Sequence, residues 1–435
     1  MNFLKQFLVV GFLSIQFFGY AQSSKLDGIT QKYDSYLNEL NVGMGVLIKK
    51  KNKTELSSIG KFNINENSVF NIGSASKKMT AILLLQEEER GNLKLSDSIG
   101  TYLSTIKNVD GSLTIETLLR HRSGLGELVG RGLKPTFFSK HDSIYTSNFL
   151  DKIPPAKPEK KGKFNYCNTN YILLGHILEK INDKNYFDLL RERIFESCNM
   201  VNSYPYVTKQ IPNLVHPTQH GKDVYTDLDY RFFTRYIFSS GSIASTLNDM
   251  ALFYNHLFTK NTLLSKTSLQ KLVDFDDADY GLGMMKSTIN DITYYGHGGN
   301  NVGYAYREYF NPKTNNMVLF VSNTMQMPFH QILKKEIMNY SIGKPNAIHI
   351  DENVTKTFGV YKGTYFFKEM NAEVQLIEEN KQLYMVLNGT KLLLISYEKG
   401  FLQADKYGIA LKTNPKNENE LLFIQEGSEA TLKRI

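Results

Sequence analysis

The sequence predicts an α/β (α+β) fold: a sheet closed by strands from both ends of the larger part of the chain, helices beside it, and a small all-β domain after it. Both ends of the larger part, at residues 44–59 and 294–323, contain short apolar runs separated by turns, which indicates strands. Between these segments apolar residues recur at helical spacing. Residues 357–435 consist of short apolar runs separated by turns such as Asn388-Gly389, a strong hairpin signal. The chain of 435 residues is longer than one ordinary domain and accommodates this division.

The composition is that of a folded protein and excludes several classes of function. Hydrophobic residues make up 41% and charged residues 22% of the chain, which excludes wholesale disorder. The net charge of +8 is mild over this length and comes without a basic stripe interleaved with aromatic residues, so no nucleic-acid partner is predicted. Two cysteines exclude a disulfide scaffold and a multi-cysteine metal site. We predict no metal and no cofactor.

Residues 1–21 have the features of a secretory signal peptide. Lys5 supplies the positive start, the run from Phe7 to Phe18 is mostly apolar, and Gly19-Tyr20-Ala21 offers the small residues that signal peptidase requires. The run is shorter than the roughly 20 apolar residues that span a bilayer. An uncleaved N-terminal anchor is the alternative. We expect a mature chain that begins near Gln22, is exported to the periplasm or secreted, and has no transmembrane segment.

Residues 22–341 form the larger predicted domain. Met44–Ile48 and Glu55–Ile59 flank a turn rich in lysine and asparagine and predict a hairpin. The strand pattern returns from Tyr294 to Asn323, so the two ends of the domain are expected to share one sheet. The predicted helices cover residues 26–41, 76–90, 114–120 and 169–182.

A change in composition after Ser341 marks the predicted boundary. Residues 342–356 have the character of a linker, and residues 357–435 are predicted to form a small all-β domain, for which a barrel is one closed arrangement. The predicted strands are Tyr361–Phe367, Glu373–Glu378, Gln382–Leu387, Lys391–Ser396, Phe401–Ala404, Ile409–Thr413, Glu420–Gln425 and Ala430–Lys433.

Ser74 and Lys77 are the first chemical motif, S-x-x-K, at the start of a predicted helix. Side chains three residues apart lie on one face of a helix, so the lysine amine can approach the serine hydroxyl. A serine hydroxyl is a poor nucleophile until a base removes its proton, and burial can leave a lysine neutral enough to help. The alternative is a serine without chemical function, because S-x-x-K occurs by chance in many chains.

Tyr166 and Asn168 form the second motif, Y-x-N, just before a predicted helix. In an extended segment two residues apart point the same way. A tyrosine hydroxyl can relay a proton, and an asparagine amide can hold a substrate carbonyl. The alternative is an ordinary helix cap beside a buried tyrosine.

The third motif is the glycine-rich segment from His297 to Gly299, which follows a predicted strand. Glycine lets an extended substrate approach an edge strand without a Cβ clash. His297 could donate a hydrogen bond from that edge. The alternative is a glycine-rich hairpin that contains a histidine without function.

The order of these motifs resembles that of serine β-lactamases and penicillin-binding proteins, in which S-x-x-K precedes a second polar motif and a third motif on a late strand. The chain is most similar to the branch of class C β-lactamases, esterases and D-aminopeptidases, where Y-x-N and H-x-G occupy the second and third places. The resemblance covers roughly residues 25–340 and implies a β-lactamase/transpeptidase-like antiparallel sheet flanked by helices, with an all-helical part. Further similar stretches are Leu118–Leu125, Ser240–Met250 and Tyr280–Met284.

The resemblance implies catalytic roles for three residues. Ser74 would be the acylated nucleophile, and Lys77 would be its base or a proton relay. Tyr166 would pass protons to the leaving group and activate the water that deacylates the enzyme.

The resemblance also implies residues that bind the substrate. Asn168 would hold the amide or ester side chain of the substrate, and His297 and Gly299 would also bind the substrate. The backbone N–H groups of Ser74 and Asn300 would form the oxyanion hole. His297 replaces the lysine of K-T-G, so the site loses a fixed cation that could face a substrate carboxylate, since an imidazole is mostly neutral near pH 7.

We therefore expect a secreted serine hydrolase that cleaves an amide or ester through an acyl-enzyme on Ser74, similar to a D-peptidase or penicillin-binding protein. Its substrate would be a small molecule or peptide, with cell-wall fragments as one class. The alternatives are a carboxylesterase of small acyl substrates without lactamase activity and a non-catalytic binding protein. Residues 126–160 and 201–237 are expected to wall the groove. Cys167 is expected to be a core thiol, with a Cys167–Cys198 bridge as the alternative.

Overall fold

Strands from the two ends of the larger part of the chain meet in one antiparallel sheet. The structure is a computed structural model, and it describes residues 25–51, 53–129, 149–219, 221–325, 327, 329–344, 353–404, 409–414, 416–425 and 428–435. The predicted signal peptide, residues 1–21, and residues 345–352 of the predicted linker lie outside these ranges.

The sheet follows the strand order β2-β1-β11-β10-β8-β7, and β9 pairs with β10 beyond the end of β8. The long central strands β1 and β11 are buried on both faces, which suits their continuous apolar sequences. This arrangement confirms the predicted fold class, including the N-terminal hairpin β1–β2. The strands of this part are β1 (Gly43–Lys50), β2 (Lys53–Gly60), β3 (Phe70–Asn71), β4 (Thr218–Gln219), β5 (Lys222–Asp223), β6 (Ala244–Ser245), β7 (Met285–Ile289), β8 (Ile292–Gly296), β9 (Gly299–Asn301), β10 (Tyr304–Asn311) and β11 (Asn316–Ser322).

Helices cover both faces of the sheet. The helices before β1 and after β11 pack on one face, and the helices between β2 and β7 form the larger core on the other. None of the helices in the described ranges is long and apolar enough to cross a bilayer. The helices are α1 (Lys25–Thr30), α2 (Asp34–Glu39), α3 (Lys77–Glu89), α4 (Ile115–Leu119), α5 (Asn168–Asn182), α6 (Tyr186–Leu190), α7 (Leu247–Tyr254), α8 (Lys266–Leu272), α9 (His330–Ser341) and α10 (Val354–Phe358).

The helix α3 is the centre of the larger core. Almost every residue from Lys77 to Leu85 is buried, so the helix is enclosed on all sides, although two of these residues are lysines. The helix predicted over residues 26–41 is present as α1 and α2, joined by one 3₁₀ turn at Gln31–Tyr33 whose flanking residues keep helical dihedral angles. Tyr33 donates a hydrogen bond to Glu336 on α9, 2.5 Å away, and this tertiary contact lies at the turn.

The C-terminal residues form a closed eight-stranded barrel. Its interior is filled by alternate apolar side chains such as Tyr365, Leu394 and Leu411, all fully buried. These side chains form a hydrophobic cluster distinct from the two clusters of the larger part. The barrel strands are β12 (Gly363–Phe367), β13 (Ala372–Glu379), β14 (Gln382–Leu387), β15 (Thr390–Glu398), β16 (Phe401–Ala404), β17 (Ile409–Thr413), β18 (Glu420–Gln425) and β19 (Ser428–Arg434).

Deletion of residues 343–435 is expected to leave residues 22–342 folded, because the barrel buries its own separate cluster of apolar side chains. The measurement is urea unfolding of the truncated chain followed by circular dichroism, with the full-length chain as the control. A truncated chain that aggregates or unfolds without a cooperative transition would contradict the predicted boundary.

Candidate active site

The turn before α3 presents Ser74 at the start of the buried helix. Ser74 is partly exposed, whereas Lys77 is fully buried. Gly73 has φ +53°, and a Cβ there would come within 2.9 Å of the backbone nitrogen of Asn300. Asn71 secures this turn, since its Oδ1 accepts the N–H of Gly73 at 3.0 Å and the side-chain amide of Asn301 at 2.9 Å. The nucleophile candidate therefore lies where α3 meets β9.

The amine of Lys77 lies between the serine hydroxyl and two acceptors. Its Nζ is 3.0 Å from Ser74 Oγ, 2.8 Å from Asn168 Oδ1 and 2.7 Å from the carbonyl oxygen of Ser240. A neutral amine has two N–H bonds and one lone pair. The two acceptors match the two N–H bonds, which leaves the lone pair directed at the hydroxyl of Ser74.

Burial favours the neutral amine form of Lys77, which is the form that can act as a base. Loss of hydration lowers the pKa of Lys77 from 10.5 to about 7, while the carboxylate of Glu127 opposes that change. A substantial fraction of Lys77 is therefore unprotonated near neutral pH, when a serine base has to accept a proton.

Glu127 holds the amide of Asn168 in a single orientation. Its Oε2 accepts the backbone N–H of Asn168 at 2.8 Å and the side-chain Nδ2 at 3.2 Å. The amide oxygen is then left facing Lys77. Glu127 is not among the individually predicted site residues, although it lies in the segment 126–160 that is expected to wall the groove.

The ring of Tyr166 covers the Ser74–Lys77 pair. The Lys77 Nζ is 5.0 Å from its ring centroid, and the ring of His121 packs against it with centroids 4.3 Å apart. Although 37% of Tyr166 is exposed, loss of hydration among these groups raises the pKa of its phenol, and a hydrogen bond with the Ser74 side chain acts in the opposite direction. Tyr166 is therefore a neutral phenol at pH 7, able to donate a proton rather than accept one.

The strand β9 lies against the backbone of the turn that carries Ser74. A Cβ on Gly299 would be 1.9 Å from the carbonyl oxygen of Ile72 and 3.0 Å from the backbone nitrogen of Ser74, so no other residue fits there. Because Asn300 follows Gly299, the backbone nitrogens of Ser74 and Asn300 come from two elements in close contact. Two such N–H groups are what an oxyanion hole needs.

His297 is buried at the end of a hydrogen-bonded chain rather than free to face solvent. Its Nε2 lies 3.2 Å from the hydroxyl of Tyr280, which lies 3.1 Å from His121 Nε2. The backbone N–H of Cys167 donates to His121 Nδ1 at 3.1 Å, which assigns the proton to His121 Nε2. Burial, and then the nearby Lys77, lower the pKa of His297 to about 3. His297 is therefore neutral at pH 7.

Other predictions concern the surroundings of the site. Cys167 and Cys198 are both free and buried, so Cys167 is a core thiol as expected and the alternative bridge is wrong. Residues between Tyr206 and Thr234 of one predicted wall line a cavity of about 1100 Å³, but none of the predicted site residues lines it, and residues 130–148 of the other predicted wall lie outside the described residues. In the described part of the chain no three His, Cys, Asp or Glu side chains are grouped so that they could hold a metal ion.

The pH dependence of ester cleavage is expected to follow the amine of Lys77. Protonated Lys77 cannot accept the proton of Ser74, so kcat/KM should fall below a midpoint of about 7 and reach a plateau above it. His297, with a pKa of about 3, stays neutral across this window. The measurement is the hydrolysis of p-nitrophenyl acetate between pH 5 and 9 with the uncatalysed rate subtracted. A rate independent of pH through this window would contradict the assignment of the base.

Comparison with known proteins agrees with the family that the three sequence motifs predict. The family model described as Beta-lactamase matches residues 35–340. Penicillin-binding protein 4* of Bacillus subtilis (strain 168) is 24% identical over 405 residues, which cover 84% of this chain and 87% of that protein.

Solved structures share the fold. The octameric penicillin-binding protein homologue from Pyrococcus abyssi superposes with a TM-score of 0.65 at 19% identity, over 94% of this chain and 99% of that one. The D-amino acid amidase from Ochrobactrum anthropi SV3 superposes with a TM-score of 0.59 at 22% identity, over 73% of this chain and 98% of that one.

Proposed function

The chain belongs to the beta-lactamase family and is a serine hydrolase of the penicillin-binding-protein and D-peptidase type, and from this premise we propose that it cleaves an amide or ester of a D-amino acid through an acyl-enzyme on Ser74. The observation that carries the proposal is the amine of Lys77, which is buried, 3.0 Å from Ser74 Oγ, and bonded to two acceptors that account for both of its N–H groups.

Acylation begins with the transfer of the Ser74 hydroxyl proton to Lys77. The serine oxygen then attacks the substrate carbonyl carbon, and the oxyanion that forms is stabilised by the backbone N–H groups of Ser74 and Asn300. The phenol of Tyr166 donates a proton to the leaving amine or alcohol as the bond to it breaks. The ammonium of Lys77 returns a proton to Tyr166, so the site ends acylated and otherwise unchanged.

Deacylation uses the same groups in reverse. Lys77, neutral again, accepts a proton from a water molecule through Tyr166 or directly, and the water attacks the acyl carbonyl. Collapse of the second oxyanion breaks the bond to Ser74, whose oxygen recovers its proton from Lys77.

The charges at the site support a substrate without a carboxylate next to the cleaved bond. His297 is neutral and buried, so it supplies no cation for such a group. Glu127, whose charge acts on Lys77, adds a nearby negative charge that would repel a second anion and attract an ammonium group. A D-amino acid amide or ester with a free amino group suits this environment.

The test combines a covalent probe with a panel of substrates. A fluorophosphonate should attach to Ser74, as located by mass spectrometry of the digested protein. We expect D-Ala-p-nitroanilide to be cleaved faster than its L-enantiomer and faster than N-acetyl-D-Ala-p-nitroanilide, which has no ammonium group. Equal rates on all three substrates would contradict the proposed substrate class. Absence of the adduct would contradict the assignment of Ser74 as the nucleophile.

A carboxylesterase without lactamase activity is the second candidate, and the observation that favours it is the neutral, buried His297. Cleavage of p-nitrophenyl acetate without cleavage of the p-nitroanilides or nitrocefin would favour this candidate over the peptidase.

Export is a further part of the proposal, supported by the sequence of residues 1–21. The intact mass of the protein recovered outside the cytoplasm of an expressing bacterium should correspond to a chain that begins near Gln22. Recovery of an uncleaved, membrane-bound chain would favour the anchor instead.

A further inference from the structure

A buried ion pair lies directly behind the site, and no step of the mechanism uses it. Lys78 follows Lys77 in sequence, but its Nζ turns toward the sheet and donates to Glu308 Oε1 at 2.6 Å. Both side chains are fully buried. Such a pair is costly to desolvate and gives little stability compared with apolar residues of similar size, so its presence beside an active site calls for another explanation.

The contacts of Glu308 connect the pair to both sides of the oxyanion hole. Its Oε1 accepts the backbone N–H of His297 at 2.8 Å, and its Oε2 accepts the hydroxyl of Tyr306 at 2.9 Å. Lys78 also donates to the carbonyl oxygen of Ala75 at 2.7 Å, one residue after Ser74. Lys78 and Glu308 together therefore join the turn that carries Ser74 to the segment that leads into β9.

Strand register explains why a side chain is needed at this point. Tyr295 pairs with Phe310 on one side, and Gly299 pairs with Tyr306 on the other, which places Glu308 opposite His297. There the backbone N–H of His297 bonds to the carboxylate of Glu308. A buried N–H without an acceptor is strongly unfavourable, so this bond helps to hold the strand in place just before the oxyanion hole.

We infer that Glu308, held by Lys78 and Tyr306, is a positioning residue that sets the distance between the two N–H donors of the oxyanion hole. One donor, Ser74, belongs to the α3 side and the other, Asn300, belongs to β9. The carboxylate accepts the N–H of His297, just before β9, and it reaches the α3 side through Lys78, which donates both to it and to the carbonyl oxygen of Ala75. The inference rests on the proposed function, because it concerns the step in which Ser74 is acylated.

Two double variants separate positioning from simple stabilisation. Lys78→Met with Glu308→Gln removes both charges but keeps an amide oxygen that can accept the N–H of His297. Lys78→Met with Glu308→Leu removes the charges and the acceptor. Because neither variant leaves a buried charge unpaired, both are expected to unfold cooperatively in urea, with a lower midpoint for the leucine variant, in which the N–H of His297 has lost its acceptor.

The rate of fluorophosphonate labelling at Ser74 is the first measurement. We expect the leucine double variant to react about 100-fold more slowly than the glutamine double variant, comparable to the loss of one oxyanion-hole donor. Equal rates at equal folded fraction would overturn the inference. If neither double variant folds, the variant Tyr306→Phe serves instead, because it removes one hydrogen bond to the Glu308 carboxylate without changing the charge. We then expect labelling about 5-fold slower than in wild type. A labelling rate equal to that of wild type would overturn the inference.

Amide hydrogen exchange, read by mass spectrometry on the peptide that contains residues 297–301, gives a measurement independent of activity. We expect faster exchange in the leucine double variant than in the glutamine one, and identical exchange would count against Glu308 as the support of this segment. If the two double variants differ in exchange as expected but the wild-type protein forms no adduct at Ser74, the proposed function is rejected and the structural role of Glu308 stands.

Discussion

Replacement of Ser74 by alanine is expected to abolish covalent labelling and to lower kcat by about 10⁴- to 10⁶-fold. The Oγ of Ser74 is the atom that Lys77 contacts at 3.0 Å, and the proposed acyl-enzyme cannot form without it. The measurements are kcat for p-nitrophenyl acetate and the mass of the protein after reaction with a fluorophosphonate. The residual rate should be that of binding and the oxyanion hole alone.

Ser76 provides the matched control for this variant. It is a buried serine two residues away, and its hydroxyl donates to the carbonyl oxygen of Gly73 at 2.7 Å rather than meeting Lys77. Ser76→Ala should therefore keep the adduct, with any loss of rate explained by the folded fraction. An adduct on Ser74→Ala equal to that on wild type would show that another residue is the nucleophile.

Replacement of Lys77 by methionine is expected to lower kcat by about 10³- to 10⁴-fold, because methionine has similar length but no amine to accept the proton of Ser74. The dependence of the rate on pH near 7, which belongs to this amine, should disappear at the same time. Rate measurements on p-nitrophenyl acetate between pH 5 and 9 test both effects. Lys77→Arg should also be inactive, since a guanidinium stays charged throughout this range. A methionine variant with a wild-type pH profile would exclude Lys77 as the base.

The same amine should also make the stability of the protein depend on pH. The pKa of Lys77 is about 7 in the folded chain and 10.5 when exposed, so between these values the unfolded chain binds a proton that the folded chain lacks. Stability contributed by this group therefore rises with pH from about 7 upward. Relative to Lys77→Met, wild type should gain about 1.4 kcal/mol in free energy of unfolding per pH unit between pH 7 and 9. The measurement is urea unfolding of both proteins at several pH values between 7 and 9. If the free energy of unfolding changes with pH by the same amount in both proteins, the lowered pKa of Lys77 is contradicted.

Local patterns explain why parts of the fold were predictable. The barrel strands Gln382–Leu387, Phe401–Ala404 and Ile409–Thr413 have the predicted bounds because each is a short run of strand-forming residues between turns. The helix predicted over residues 26–41 contains a 3₁₀ turn at Gln31–Tyr33, where Tyr33 bonds to Glu336, a partner about 300 residues away in the chain. Such a tertiary contact leaves no trace in the local periodicity.

The candidate site also contains residues that local sequence patterns predict and residues that only the fold brings together. Ser74 and Lys77 were predictable because their contact follows from helical spacing alone. Glu127 and Glu308 were not, because each acts on a motif residue that is distant in sequence, through a carboxylate whose partners only the fold brings near. Ser240 acts through its backbone carbonyl, a group that every residue possesses and that no pattern of side chains reveals.

The sequence by itself determined the chemical groups available, their order along the chain and the periodicity of the elements that carry them. The tertiary structure decided the acidity of those groups, since only packing removes water from Lys77 and His297 and lowers the pKa of each. It also decided which backbone N–H groups lie beside Ser74. The physical reason is that hydration and long-range hydrogen bonds depend on distances through space, whereas periodicity depends on neighbours along the chain.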